Sequence, residues 1–132
     1  MADVLLQDLW FHRVEGAVIE DVVCDGEFVV VQARASADRA VCPACGTTSA
    51  RVHSRYVRRL ADSAVGGRPV VIELRVRRFR CRQGACPQKT FAEQVEGLTF
   101  QHGRRSAGLQ SVLERLGRSV SCWRRTCGCP PR

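Results

Sequence analysis

The chain has 132 residues, 45% of them apolar, which is enough for one small domain or two very small modules. No stretch approaches the roughly 20 apolar residues of a membrane span, and the N-terminus lacks a signal-peptide core, so a cytoplasmic location is expected. The formal charge of +8 is uneven, because residues 1–41 carry −5 whereas residues 42–93 carry +8. Twenty of the 21 basic residues are arginine, whose planar guanidinium matches phosphate oxygens and guanine edges. The composition therefore favours contact with a nucleic acid.

The first third of the chain predicts a short helix followed by a β-hairpin. In residues 3–12, Leu5, Leu6, Leu9 and Trp10 fall near one face at helical spacing. Residues 17–23 and 27–35 are rich in β-branched residues, and the Asp-Gly pair at 25–26 between them is a strong hairpin-turn signal. Residues 36–41 are small and polar, and are expected to form a connector.

A second hairpin is predicted in the middle of the chain. Residues 70–80 alternate, with Val70, Ile72, Leu74 and Val76 on one side and charged residues on the other, which indicates a strand with one buried and one basic face. Residues 51–61 suit a helix or a strand, and we favour a strand that pairs with 70–80 across the turn at Gly66-Gly67. A further strand is expected at 89–95.

The C-terminal part predicts one helix. Residues 97–103 are expected to be a loop, and residues 104–117 place Leu109, Val112, Leu113 and Leu116 at i, i+3, i+4 and i+7. Ser106 is a candidate N-cap for this helix and Gly117 a candidate stop. The last residues, SVSCWRRTCGCPPR, show no clear pattern.

Four of the eight cysteines form two close pairs. Cys42 and Cys45 are spaced C-x2-C, Cys81 and Cys86 are spaced C-x4-C, and 35 residues separate the pairs. In a chain with no export signal, such pairs favour metal binding over disulfides. Four thiolates around one Zn²⁺ make a closed tetrahedral site with no position for water, so we predict one structural zinc ion. The alternatives are buried free thiols or two disulfides, and His53 is a further candidate that could replace one ligand.

The other cysteines carry weaker predictions. Cys24, beside the first predicted turn, is interpreted as a structural thiol. Cys122, Cys127 and Cys129 could form a second metal site, although the patternless tail around them argues against it. The predicted fold class is α+β: a small β-rich domain with a short helix and N-terminal hairpin (1–41), a four-cysteine zinc ribbon that binds DNA (42–95), and a helix with an irregular tail (96–132).

The arginines of the predicted second hairpin indicate a binding surface. If its strands pair, most of these guanidiniums crowd one region beside the zinc ion, and charges this dense favour an anionic partner and salt-sensitive binding. A solvated face without a partner is the alternative, and charge alone does not choose DNA over RNA. Replacing Arg77 and Arg78 by alanine is expected to weaken DNA binding and leave the fold intact. The predicted contact residues are Arg51, Arg55, Tyr56, Arg58, Arg59, Arg75, Arg77, Arg78, Arg80 and Arg82.

Several of these motifs together resemble one known family. The runs CPACGTTSARVHSRYVRRLAD, GRPVVIELRVRRFRC and CPQKTFAE, within residues 42–93, are similar to the N-terminal zinc-finger region of bacterial insertion-sequence transposases of the ISL-three family. The resemblance implies a zinc ribbon that helps to recognise transposon ends. It also implies a following helix-turn-helix region, which the helix at 104–117 would begin, and then a catalytic domain with an Asp-Asp-Glu acid set that binds magnesium.

The sequence departs from the family pattern after that helix. No catalytic acid of the family can be placed on any residue, so the expectation is a truncated, non-enzymatic transposase whose partner is DNA at terminal repeats. An RNA-associated zinc ribbon is the main alternative. A thiol-dependent enzyme that uses a cysteine with His53 would need an exposed, metal-free thiol beside a base. A nonfunctional product with the same fold is a further alternative.

Overall fold

The computed structural model describes residues 4–12 and 14–126, with side chains as far as residue 118. This part of the chain is rich in β-structure and has a helix at each end, which confirms the predicted α+β class. The elements are α1 (Val4–Phe11), β1 (Ala17–Asp25), β2 (Phe28–Ala35), β3 (Ala40–Val41), β4 (Thr48–Ser49), β5 (Val52–Val65), β6 (Arg68–Arg80), β7 (Thr90–Ala92) and α2 (Ala107–Thr126).

Both predicted hairpins form. β1 and β2 pair antiparallel around Asp25-Gly26, and β5 and β6 pair antiparallel over most of their lengths. The turn between β5 and β6 uses Gly66 and Gly67, whose φ angles of 57° and 75° are in the left-handed region that glycine adopts without steric cost. The choice of a strand over a helix for residues 51–61 is therefore confirmed.

The two hairpins join edge to edge in one sheet. The strand order is β1-β2-β6-β5, with β2 and β6 parallel, and β7 continues the pairing of β6 at its C-terminal end. Val31 lies beside Ile72 and Ala33 beside Leu74 in this register, so the apolar sides of both hairpins face the same way. The strands before and after the predicted boundary between residues 41 and 42 thus belong to one sheet.

One face of the sheet carries the main core. Val31, Leu60, Ile72, Leu74 and Val76 are at most 1% exposed and belong to one hydrophobic cluster with Val95 and Leu98. Helix α1 adds Phe11 to this cluster. The side chain of Gln7 ties α1 to β1, since its Nε2 donates to the carbonyl of Ala17 and its Oε1 accepts from the backbone N–H of Ile19.

Helix α2 begins where the sequence predicts and ends later. The Ser106 hydroxyl accepts a hydrogen bond from the backbone N–H of Leu109 at 3.1 Å, which confirms Ser106 as the N-cap. Gly117 does not stop the helix, which continues to Thr126, so that prediction is wrong. A glycine inside a helix costs about 1 kcal/mol relative to alanine, which is too little to end a helix by itself. In the described part of the chain, neither helix combines the length and apolar character that crossing a bilayer requires.

Candidate metal centre and nucleic-acid interface

The first cysteine pair lies in a tight turn between the two short strands β3 and β4. The backbone N–H of Cys42 donates to the carbonyl of Thr47, and the N–H of Gly46 donates to the carbonyl of Cys42. Gly46 has a φ of 74°, which lets the chain reverse directly after Cys45. Cys42 is buried and Cys45 is exposed, so the turn presents one thiol inward and one near the surface.

The second pair lies in the connection between β6 and β7. Cys81 directly follows the end of β6, and its backbone N–H donates to the carbonyl of Lys89. Cys86 is buried against Phe79 and Phe91, whose stacked rings have centroids 6.0 Å apart. These two phenylalanines are cross-strand neighbours on β6 and β7, so the sheet supports the connection that carries Cys81 and Cys86. Phe79 is fully buried and is therefore a core residue.

The four sulfurs converge as a metal site requires. Sγ of Cys42 lies 3.9 Å from Sγ of Cys86, Sγ of Cys45 lies 3.5 Å from Sγ of Cys81, and all four lie within 4.8 Å of one another. Zinc–sulfur bonds of about 2.3 Å in a tetrahedron put neighbouring sulfurs about 3.8 Å apart. A disulfide would need about 2.05 Å, so neither of these two pairs is a disulfide, and all four cysteines are free. Cys42, Cys45, Cys81 and Cys86 are thus positioned to bind one metal ion, and four thiolates form the closed site that suits a structural zinc ion.

The protonation of the thiols fits the same conclusion. The hydroxyl and then the backbone of Thr47 lower the pKa of Cys45 to about 6, against the effect of desolvation. The backbone N–H of Gln83 lowers the pKa of Cys81, but desolvation and the neighbouring thiols outweigh it and raise that pKa to about 12. Neighbouring thiols thus resist losing all their protons, and a divalent metal would supply the charge that balances four adjacent thiolates.

His53 does not belong to this cluster. Its side chain is exposed and its Nδ1 lies 3.2 Å from the hydroxyl of Ser54, and the group of potential metal ligands in the described chain consists of the four cysteines. Cys24 is exposed in β1. The second metal site considered for Cys122, Cys127 and Cys129 falls outside the side chains that the structure describes.

The cysteine-bearing segment also matches a known family. Residues 38–86 match the family model described as the zinc-finger of transposase IS204/IS1001/IS1096/IS1165. This segment is similar to the zinc finger of that transposase family. The resemblance that the sequence motifs carry is thereby confirmed for these residues. Neither the curated proteins nor the solved structures gave a match.

The structure divides the predicted contact residues between the two faces of the sheet. Opposite side chains in a sheet share a face, and Arg55 lies opposite Arg77 while Arg59 lies opposite Glu73, on the face away from the core. Tyr56 lies opposite Val76 and Arg58 opposite Leu74, on the core side. Arg51, Arg80 and Arg82 are exposed around the zinc ribbon. The expectation that most of the guanidiniums crowd one region therefore applies only in part.

Several of these arginines already have acidic partners. Arg75 pairs with Glu20, which also contacts Arg34 at 3.3 Å, and Arg59 lies 3.6 Å from Glu73. Each of these three arginine side chains is at least half exposed, so each pair contributes little to stability.

Arg77 is different, because its side chain is only 21% exposed and its acidic partner is buried. Its Nε and Nη2 donate to the two carboxylate oxygens of Glu93 at 3.0 and 2.9 Å, and Nη2 also donates to the carbonyl of Ala37. The hydrogen bonds to Glu93 raise the pKa of Arg77 above its ordinary value. The guanidinium also lies 5.0 Å from the centre of the Phe79 ring. Arg77 therefore joins β6 to the chain after β7.

Sequence reasoning did not single out two arginines that line a depression of this surface. Arg39, in the predicted connector, and Arg104, before α2, both border it together with Tyr56 and Arg78. Neither is part of a cysteine motif or an alternating strand, so the signal available in the sequence was only the excess of arginine over acidic residues.

Proposed function

We propose that this region binds duplex DNA and serves a transposase in recognising transposon ends. The observation that carries the proposal is the convergence of four thiols within a segment that matches a transposase zinc finger, directly beside an arginine-rich hairpin. The net charge of residues 42–93 is +8, and charge of this density attracts a polyanion.

The metal has a structural part in this function. A closed site of four cysteines leaves no coordination position for water or substrate, so the zinc ribbon would contribute binding rather than chemistry. When bound, zinc supplies folding energy that fixes the two cysteine turns. The stacked rings of Phe79 and Phe91 support the cysteine turns, and arginines beside the ribbon would contact the DNA. The cytoplasmic location predicted from the sequence is part of this proposal.

Fluorescence anisotropy of zinc-loaded protein with a labelled duplex tests the proposal. We expect binding that weakens linearly in a plot of log affinity against log salt, with a slope of about −0.9 for each phosphate contacted. A duplex that carries the terminal repeats of a related insertion sequence should compete better than a scrambled duplex of the same composition. Absence of binding at low salt would contradict the proposal. Preferential competition by structured RNA would favour the alternative, an RNA-associated ribbon.

A further inference from the structure

A groove separates the zinc ribbon from the segment that leads into α2. We call it the basic groove: a depression of about 680 Å³ bordered by Val41 and Pro43 on the ribbon side, by Tyr56 and Arg78 on the sheet, and by residues 101–104 on the far side. Arg39 also lines it. The groove is thus built where the metal-bound turn, the sheet and the α2 leader meet.

The lining of the basic groove is strongly cationic. Glu93 is the acidic residue in the lining, and its carboxylate is 3% exposed and engaged by Arg77. The arginines in the lining are Arg39, Arg58, Arg59, Arg78 and Arg104. In the described part of the chain, no acidic side chain forms an ion pair with Arg39, Arg78 or Arg104. Arg59 of the lining is paired with Glu73 at 3.6 Å, as Arg34 and Arg75 are paired with Glu20 on the open face of the sheet.

Arg58 lines this groove and holds one of its borders by hydrogen bonds. Its Nη1 donates to Oε1 of Gln94 at 3.1 Å, and its Nη2 donates to the carbonyls of Phe100 and Gly103 at 2.5 and 2.8 Å. These bonds hold residues 100–103 against the sheet, and the carbonyl of Arg104 then accepts from the N–H of Ala61 on β5. Arg58 is therefore a positioning residue that fixes where the Arg104 side chain begins.

We propose that the basic groove seats the sugar–phosphate backbone of one strand of a DNA duplex. Arg39, Arg78 and Arg104 would donate to phosphate oxygens, and the ring of Tyr56, 38% exposed, would form an apolar floor against a sugar. Phosphate contacts position a protein on DNA without reading its sequence. The groove thus supplies the sequence-independent part of the affinity. This inference rests on the proposed DNA-binding function.

The test compares two double variants that remove the same charge. Arg39→Gln with Arg104→Gln changes two exposed side chains of the groove, and Arg34→Gln with Arg68→Gln changes two exposed side chains that lie outside the groove and outside the predicted contact set. We expect the groove variant to bind a short labelled duplex about tenfold more weakly. Its salt slope should also fall by about 1.8, since each lost phosphate contact removes about 0.9. The weakening should be the same on two duplexes of unrelated sequence, and the outer variant should stay within about twofold of the wild type.

The outcomes separate this inference from the function on which it rests. If the wild type binds and the groove variant binds equally well, or if both double variants lose affinity equally, the groove is not the backbone seat while DNA binding stands. A loss confined to one of two unrelated duplexes would also overturn the inference, because it would mean base readout. If the wild type itself does not bind, the proposed function fails first. Melting curves equal to that of the wild type show that the comparison concerns binding and not folding.

Discussion

Arg77 and Glu93 form a two-pronged ion pair at the junction of the sheet and the chain after β7. The carboxylate of Glu93 is 3% exposed, and it accepts hydrogen bonds from Nε and Nη2 of Arg77 and also from the backbone N–H of Arg77 at 2.7 Å. The Arg77 side chain is 21% exposed, and its guanidinium lies over the ring of the buried Phe79. Its position shows that a basic residue on an alternating strand can be part of the fold rather than part of a binding surface.

Arg77→Ala is therefore expected to destabilise the protein. The substitution leaves the Glu93 carboxylate buried without its cation, and breaking a buried pair in this way typically costs about 3–5 kcal/mol. Urea unfolding followed by circular dichroism measures the loss. Arg75→Ala is the matched control, two residues earlier on the same strand and face, and its exposed pair with Glu20 is worth about 1 kcal/mol or less. Normal unfolding of the Arg77 variant with weakened DNA binding would instead support the earlier expectation that Arg77 contacts DNA.

Removal of the metal should unfold the zinc ribbon before the main sheet. The cluster of Cys42, Phe79, Cys86 and Phe91 is separate from the larger core that β1, β2 and β6 share. Structural zinc contributes folding energy directly, so a chelator should speed hydrogen exchange in residues 40–50 and 81–92 first. Hydrogen exchange followed by mass spectrometry measures this order, and metal analysis should give one zinc per chain.

A cysteine variant separates loss of the metal from loss of a thiol. Cys81→Ser should lose zinc and the melting transition of the ribbon, because oxygen from serine is a poor replacement for a thiolate ligand. Cys24→Ser changes an exposed thiol outside the cluster and should keep both. Equal zinc content and equal melting in the two variants would show that the four sulfurs do not hold the metal.

The sequence predicted local features better than long-range ones. Features that depend on a few neighbouring residues were predicted and are found in the structure. They are the cysteine cluster, the turns at Asp25-Gly26 and Gly66-Gly67, and the Ser106 cap. The parallel pairing of β2 with β6 was not predicted, because it joins segments about 40 residues apart and no local signal fixes such a partner. The same pairing places residues 1–41 and 42–93, which differ in net charge, in one sheet.

The orientation of single arginines was also beyond the sequence. Alternation tells which residues of a strand share a face, but it does not give their partners. Arg58 lies on the core side of β5, and its guanidinium donates hydrogen bonds to Gln94 and to two carbonyls of a loop that is distant in sequence. A register shift between Val52 and Ser54 further disturbs the alternation at the start of β5. Arg58 and Arg77 were therefore grouped with exposed arginines although each is bonded within the fold.

Ser106→Ala is expected to lower the free energy of unfolding by about 1–2 kcal/mol. The hydroxyl caps α2 through the N–H of Leu109, and it also donates to Oδ1 of Asp62 at 2.7 Å, which links the helix to β5. Ser111→Ala, at an exposed position within the same helix, keeps both bonds and should change stability little. Thermal melting of the two variants checks the difference, and equal melting temperatures would show that the cap contributes nothing.

Arg58→Ala should release residues 100–103 from the sheet. Two hydrogen bonds from this guanidinium go to carbonyls of the turn and a third goes to Gln94, so the substitution leaves the two carbonyls to water. We expect faster hydrogen exchange in residues 100–104 and a stability loss of about 1–2 kcal/mol. Arg58→Lys should restore little, because an ammonium lacks the planar fork that reaches separate acceptors. Arg55→Ala, an exposed arginine of the same strand, is the control and should leave exchange in the turn unchanged. Unchanged exchange together with weakened DNA binding in the Arg58 variant would mean that this guanidinium contacts DNA itself.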